Sequence, residues 1–179
     1  MRLFTALDPP DALRAQGAQL RASGALDARW TPPDQYHVTL RFVGEVDPER
    51  AAGLDAALSQ ADAPPPACHP YGLDVLPSRR HPSVLVVGLD RTDSLLALYE
   101  AVSAALEAEG VDPTDRRYRP HLTLARLDDV GAETVHRFLE RHDAGALPAF
   151  RPTQFHLYES TLTPDGAVHD RWASYALSA

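Results

Sequence analysis

Residues 37–40 read HVTL, and residues 121–124 read HLTL. Each copy is a short stretch of β-forming residues in which a histidine is followed two positions later by a threonine. Because side chains at positions i and i+2 lie on the same face of a strand, each copy presents an imidazole beside a hydroxyl. The apolar residues of each copy take the opposite face. Two such strands facing each other would gather two imidazoles and two hydroxyls around one point.

The segments around the two copies follow the same order. Each motif strand, about 36–43 and 121–127, is followed by a turn and then by an amphipathic helix. Gly44 is expected to end the first motif strand, and Asp47 to cap the helix after it. This repeat predicts two related lobes with one motif each, brought together at a central cleft.

Other segments alternate irregularly between strand and helix patterns, and several hairpins are implied, so the sequence favours an α+β class over a doubly wound parallel sheet. No linker separates independent domains, and residues 1–179 are therefore expected to form a single bilobal domain. Further strands are predicted at 2–7, 67–76, 83–89, 150–160 and 167–177, with a turn at 163–166, and further helices at about 9–24, 92–109 and 130–142.

The composition limits the classes of partner. A net charge of −8 argues against an extended electrostatic grip on nucleic acid, so a nucleic-acid substrate would have to be held locally, at one end. No run of residues is long and apolar enough to span a bilayer, and the first residues do not resemble a signal peptide. The single cysteine, Cys68, excludes an intramolecular disulfide. We expect a cytoplasmic monomer without a membrane association.

Two local basic clusters stand out against this acidic composition. Residues 116–119, RRYR, lead directly into the second motif, and residues 79–81, RRH, fall in an expected loop. Either cluster can be a solvated loop or an anion-binding surface, and the sequence leaves this open.

Metal and nucleophile chemistry fit the motifs poorly. A metal site usually needs three or more ligands, and neither motif has an acidic residue or a second histidine at the right spacing. The other six histidines form no ligand pattern, so we expect no metal and no other cofactor. Thr39 and Thr123 lack the sequence context of an activated nucleophile. Cys68 next to His69 is better explained as a small buried thiol.

Acid–base chemistry on a phosphate fits well. Hydrolysis of a phosphodiester needs a base for the attacking water and an acid for the leaving oxygen. Two imidazoles titrate in the range that allows both roles, and two threonine hydroxyls can donate hydrogen bonds to the other phosphate oxygens. A strained cyclic diester needs no metal ion for this reaction.

These motifs resemble those of the 2H phosphoesterase superfamily, whose mark is a pair of His-x-Thr-hydrophobic motifs. Within it, the chain is similar to the RNA 2',3'-cyclic phosphodiesterases, also described as 2'-5' RNA ligase-like proteins. The resemblance covers nearly the full length, and it rests on RLFTAL at 2–7, HVTLRFVGEV at 37–46, YRPHLTLAR at 118–126 and FHLYESTLTPDGAVHDRW at 155–172.

The resemblance implies a bilobal, pseudo-symmetric α+β fold, with two antiparallel sheets facing a central cleft and helices on the outside. It implies hydrolysis of a terminal RNA 2',3'-cyclic phosphate to a 2'-phosphate, so the partner would be an RNA 3' end or a nucleotide. By position, His37 would be the proton donor to the departing 3' oxygen, and His121 the proton acceptor that activates water. Thr39 and Thr123 would hold the phosphate.

Two further positions follow from the resemblance. Phe42 could stack on the terminal base or ribose, and Arg126 could pair with the phosphate. Each lies five residues after its histidine, an odd offset that would turn it away from the site unless the strand bends or bulges. Gly44 makes a bend plausible in the first copy, and Ala125 gives no such help in the second. Arg41 shares the His37 face by parity and is a second cationic candidate.

The closing strands contain three more candidates. Tyr158 and His169 lie in the closing strands, and His169 stands where the resemblance implies a tyrosine, which leaves any substrate contact there open. His156 alternates with Tyr158 and is expected to be structural or exposed.

Two other functions remain open on these residues. The same site could join RNA ends, with a 5' hydroxyl attacking the cyclic phosphate in place of water to give a 2'-5' linkage. A non-catalytic module that binds RNA ends or nucleotides is the alternative outside enzymes, although both histidines and both threonines are present.

Overall fold

The computed structural model describes residues 1–128, 130–142, 147–164 and 166–178. These residues form an α+β fold, as the sequence predicts, and none of the helices among them is long and apolar enough to cross a membrane. In chain order the elements are β1 (Arg2–Leu7), α1 (Asp11–Ala22), β2 (Arg29–Trp30), β3 (Val38–Glu45), α2 (Pro48–Leu58), β4 (Pro70–Ser78), β5 (His81–Leu89), α3 (Asp93–Ala108), β6 (His121–Arg126), α4 (Ala132–Arg141), β7 (Gln154–Thr163) and β8 (Gly166–Ala176).

Local sequence signals explain most of the element ends. The Asp47 side chain accepts a hydrogen bond from the Arg50 backbone N–H at 2.8 Å and so caps α2, as expected. Thr92 caps α3 in the same way through the Leu95 N–H. The prediction that Gly44 ends the first motif strand is wrong. The strand pairs onward to Glu45, because Gly44 adopts a φ of 92° without leaving the ladder.

The strands pair in the order β4-β5-β6-β3-β1-β7-β8, and β2 pairs with β6. The two motif strands, β6 and β3, are neighbours in this order, with two strands beyond β6 and three beyond β3. On one side β3 pairs with β1 and β1 with β7; on the other, β6 pairs with β5 and β5 with β4. The outer strands on the β3 side therefore come from both halves of the sequence, whereas β5 and β4 on the β6 side come from the first half.

The two sides meet at a single pair, Val38 opposite Leu122. Both side chains are fully buried, and both belong to the same core cluster as the buried faces of the helices. Because the apolar residues of the motifs point into this core, the histidines and threonines are left on the opposite face. The turn expected at 163–166 includes Asp165, which lies outside the described residues.

Candidate active site

The two histidines lie on either side of the central pair. His37 immediately precedes Val38, and His121 immediately precedes Leu122. Counting outward from an antiparallel pair places His37 across from Thr123, and His121 across from Thr39. The four motif side chains are therefore gathered around the junction of β3 and β6, as the repeat predicts.

Each imidazole is held by the same contact. The Nδ1 of His37 lies 2.9 Å from the Gln35 carbonyl oxygen, and the Nδ1 of His121 lies 2.6 Å from the Arg119 carbonyl oxygen. A carbonyl oxygen only accepts, so Nδ1 carries the hydrogen in both rings. Nε2 is then the atom available for proton transfer in both histidines.

Burial disfavours the charged form of both imidazoles. The pKa of His37 is lowered to about 4, mainly by burial and further by the neighbouring His169 and His121, against the opposite effects of the Gln35 carbonyl and Asp8. Burial also lowers the pKa of His121, against the hydrogen bond to Arg119. With no anion bound, His37 is therefore neutral at neutral pH.

Both motif strands contain a bulge at the same place. In β3, Thr39 and Arg41 face successive residues of β1, so Leu40 is an extra residue in the ladder. In β6, Thr123 and Ala125 face successive residues of β5, so Leu124 is the extra residue. Each bulge reverses the alternation of side chains after the threonine.

The bulges are satisfied by specific hydrogen bonds. The hydroxyl of Thr5, which is fully buried, accepts from the Arg41 N–H at 3.1 Å. The carbonyl oxygen of Leu124 accepts from the Thr31 N–H at 2.8 Å. The irregular backbone therefore leaves neither of these polar groups unpaired in the interior.

As a result, Phe42 and Arg126 return to the face of the histidines. Phe42 is 68% exposed, which rules out a role in core packing, and its ring centroid lies 6.0 Å from that of Phe4. Arg126 is exposed at the end of β6. The expectation that the second strand lacks a way to turn its arginine toward the site is wrong, because the bulge does not need a glycine.

The same bulge removes Arg41 from the site. Arg41 is only 5% exposed, and its guanidinium donates to the Asp112 carbonyl at 2.9 Å and lies 3.5 Å from Glu107. The parity argument that placed it beside His37 is wrong, because the extra residue turns Arg41 toward α3. It is not a phosphate ligand in this arrangement.

An aromatic cluster surrounds His37. The Phe4 ring is tilted against the imidazole, with ring centroids 4.8 Å apart. The His169 ring contacts the His37 ring edge-on, with centroids 5.1 Å apart. The Tyr158 ring stacks on the Phe4 ring, with centroids 5.4 Å apart. The His169 backbone N–H donates to the Gln35 side chain at 2.7 Å, and the buried Nδ1 of His169 has no partner among the described residues. His169 is thus part of the His37 environment.

Asp8 was not singled out by the sequence, yet it connects the first strand to the closing strands. It accepts hydrogen bonds from Tyr158 and Arg171, and its carboxylate lies 3.6 Å from His156 Nε2. His156 is 4% exposed and pairs with Ser174 at 2.8 Å, so it is structural rather than exposed. Asp8 directly follows β1, and only the tertiary pairing of β1 with β7 reveals its role.

Tyr118 was also missed as a structural link. Its hydroxyl donates to the Thr39 carbonyl oxygen at 3.1 Å, and its ring stacks on Tyr99 at 4.2 Å. The RRYR segment before the second motif therefore contacts the backbone of the first motif. Its position next to His121 is the signal that could have suggested this.

The other chemistries considered gain nothing from the structure. Across residues 1–128, 130–142, 147–164 and 166–178, no three histidine, cysteine or acidic side chains are grouped to hold a metal ion. Cys68 is fully buried, and burial raises the pKa of its thiol to about 12, so it is inert at neutral pH.

A family model described as LigT-like phosphoesterase matches the chain twice, over residues 7–86 and 87–169. The first match contains His37 and the second contains His121. Each match therefore contains one of the two motifs.

Similar proteins span nearly the whole chain. A protein of Archaeoglobus fulgidus named RNA 2',3'-cyclic phosphodiesterase is 28% identical over 171 residues, which is 94% of this chain and 96% of that protein. A protein of Thermotoga maritima with the same name is 25% identical over 174 residues, 94% of this chain and 91% of that protein. One of Bacillus subtilis, also so named, is 34% identical over 100 residues, 55% of each chain.

Solved structures share the fold. Escherichia coli LigT in its apo form superposes with a TM-score of 0.78 at 24% identity, covering 99% of this chain and 98% of that one. E. coli LigT complexed with 3'-AMP gives a TM-score of 0.77 at 25% identity, with the same coverage. The bilobal α+β fold implied by the resemblance is confirmed, with the refinement that the two sheets are joined at Val38 and Leu122. The chain belongs to the LigT-like phosphoesterase family.

Proposed function

We propose that this protein hydrolyses the terminal 2',3'-cyclic phosphate of RNA to a 2'-phosphate by acid–base catalysis between His37 and His121. The observation that carries the proposal is the matched pair of imidazoles, each fixed through Nδ1 by the carbonyl two residues before it. A site built for one acid and one base needs two such groups with Nε2 free. The names of the relatives from A. fulgidus and T. maritima support the same substrate.

In this mechanism, His121 Nε2 takes a proton from water as the water oxygen attacks phosphorus. The bond between phosphorus and the 3' oxygen breaks, and His37 Nε2 donates its proton to that oxygen. The 2' bond stays intact, so the product carries a 2'-phosphate and a 3' hydroxyl. His37 ends neutral and His121 ends protonated, and exchange with solvent restores the starting state.

The phosphate itself supplies the charge that His37 lacks. The pKa of His37 is lowered to about 4, so its imidazole is neutral at neutral pH before the substrate binds. A bound phosphodiester anion next to the ring favours the imidazolium and raises that pKa. Thr39, Thr123 and Arg126 would donate to the remaining oxygens and stabilise the charge that develops there.

The test is the product formed from a short RNA that ends in 2',3'-cyclic phosphate, incubated with the protein in EDTA and followed by phosphorus NMR. The proposal predicts a 2'-phosphate, with no effect of EDTA on the rate. A 3'-phosphate would require the donor and acceptor roles to be exchanged. A cyclic phosphate that stays unchanged over many equivalents of enzyme, or a 2'-5' linked product, would overturn the proposal.

A further inference from the structure

A basic pocket lies beside the second histidine, outside the site described above. It has a volume of about 380 Å³ and is lined by Arg91, which follows β5, by Arg117 and Arg119, which precede β6, and by Tyr71 of β4. These four residues are exposed, and Asp90 is the acidic residue in the lining. Two separate loops thus bring three arginines to one place on a protein whose net charge is −8, and the Arg119 guanidinium there donates to the Pro77 carbonyl oxygen at 3.0 Å.

The pocket adjoins the His121 side of the site, because Pro120, the residue before His121, lines it. The carbonyl of Arg119 holds the His121 ring, and Gly88 of β5 pairs directly with His121. The Tyr71 ring lies over Gly88 so closely that a Cβ there would meet the ring Cζ at 2.1 Å. The absence of a side chain at Gly88 therefore lets the Tyr71 ring pack against β5, directly beside the residue that pairs with His121.

Tyr71 is presented as a stacking surface rather than as a core residue. It is 57% exposed, and its hydroxyl lies 3.4 Å from the Asp74 carboxylate, which fixes the ring orientation. An exposed aromatic ring among guanidinium groups is the combination that binds single-stranded nucleic acid, with bases on the ring and phosphates on the charges. Phe42 provides a separate exposed ring on the His37 side.

We propose that this basic pocket binds the nucleotide that precedes the cyclic phosphate, with Arg91 and Arg117 on the internucleotide phosphate and Tyr71 on the base. The proposal rests on the proposed function, and it adds a second binding site for the same substrate, so that an oligoribonucleotide end is preferred to a free nucleoside cyclic phosphate. Local neutralisation of one phosphate reconciles an RNA substrate with an acidic protein.

The test compares uridine 2',3'-cyclic phosphate with a trinucleotide that has the same 3' end. The wild-type protein should show a higher kcat/KM on the trinucleotide. Tyr71→Ala and Arg117→Ala should each lower kcat/KM on the trinucleotide by about tenfold, and at least fivefold more than on the mononucleotide. Arg119 is not used, because its guanidinium already donates to the Pro77 carbonyl oxygen, and its loss could move the carbonyl that holds His121.

Arg116→Ala is the matched control, since it removes the same charge from the same segment but does not line the pocket. It should stay within about twofold of wild type on both substrates. In Arg117→Ala, the slope of log kcat/KM for the trinucleotide against log salt should become shallower by about 0.7, the value for one lost phosphate contact on a single strand.

The outcomes separate this inference from the proposed function. If the wild type hydrolyses both substrates equally well, or if Arg117→Ala and Tyr71→Ala affect both substrates equally, the basic pocket is not a nucleotide site although the proposed function stands. If neither cyclic phosphate is hydrolysed, the proposed function itself fails.

Discussion

At the scale of single residues, the site depends on the low pKa of His37. Burial, His169 and His121 together favour the neutral ring, while Asp8 alone among the nearby charges favours the imidazolium. In the unfolded chain the ring titrates near 6.5, so between pH 6.5 and 4 the unfolded state binds more protons than the folded one. The free energy of unfolding of the free protein is therefore higher above pH 6.5, and the His37 titration lowers it as the pH falls from 6.5 to 4.

The same residue predicts a pH-dependent affinity for phosphate. A nucleoside 2'-phosphate should raise the pKa of His37, so binding takes up a proton and tightens as the pH falls toward about 6, below which the free phosphate itself takes up the proton. NMR titration of 13C-labelled histidine, with His37→Gln to assign the resonance, measures both states. A free His37 that titrates near 6.5, or a pKa that the ligand does not raise, would contradict this account.

Phe42 tests whether an exposed ring contributes to binding. Phe42→Ala should lower kcat/KM about tenfold through lost stacking, while the free energy of unfolding changes by less than about 0.5 kcal/mol. Leu162→Ala is the matched control, because Leu162 is also 68% exposed but lies at the far end of β7. A loss of stability in Phe42→Ala without a loss of activity would assign the ring to packing instead.

At the scale of elements, the two bulges decide which side chains reach the site. Sequence parity placed Arg41 with His37 and turned Phe42 and Arg126 away. The extra residues Leu40 in β3 and Leu124 in β6 reverse all three placements. No local signal marks Leu40 or Leu124 as bulged, since both are ordinary buried leucines. The bulges arise from pairing with β1 and β5, which alternation within one strand cannot reveal.

Arg126 provides the test at this scale. Arg126→Ala should lower kcat/KM roughly tenfold to hundredfold, because a charged hydrogen bond to the phosphate is lost. Arg29→Ala is the control: Arg29 is the cross-strand neighbour of Arg126 on β2 and is paired with Asp128 at 2.7 Å. Equal losses in the two variants would mean that only the general field of positive charge matters.

At the scale of the whole molecule, the two lobes interleave along the chain. β7 and β8 come from the second half of the sequence but lie with the first motif, and β4 and β5 come from the first half but lie with the second motif. The sequence repeat predicted two lobes with one motif each, because the motif strands are local. It could not predict the exchange of outer strands, nor the Asp8 contacts, because both depend on long-range pairing.

This interleaving predicts that the lobes unfold together. The protein has two tryptophans, Trp30 on β2 beside the second motif and Trp172 on β8 beside the first. Denaturation of Trp30→Phe and Trp172→Phe, followed by the remaining fluorescence and by circular dichroism, should give coincident midpoints for the two probes within each variant. A tryptophan signal that changes well before the circular dichroism signal would show that one lobe unfolds alone.

The central claim is that His37 and His121 act together as one acid–base pair. The most direct test is the kcat of His37→Ala, His121→Ala and the double variant on RNA with a 2',3'-cyclic phosphate end, with circular dichroism to verify folding. Each single variant should lose roughly 10²- to 10⁴-fold, and the double variant should be within about tenfold of the weaker single one, because either loss already breaks the pair. Folded single variants with near-normal kcat, or losses that multiply in the double variant, would contradict the two-histidine mechanism.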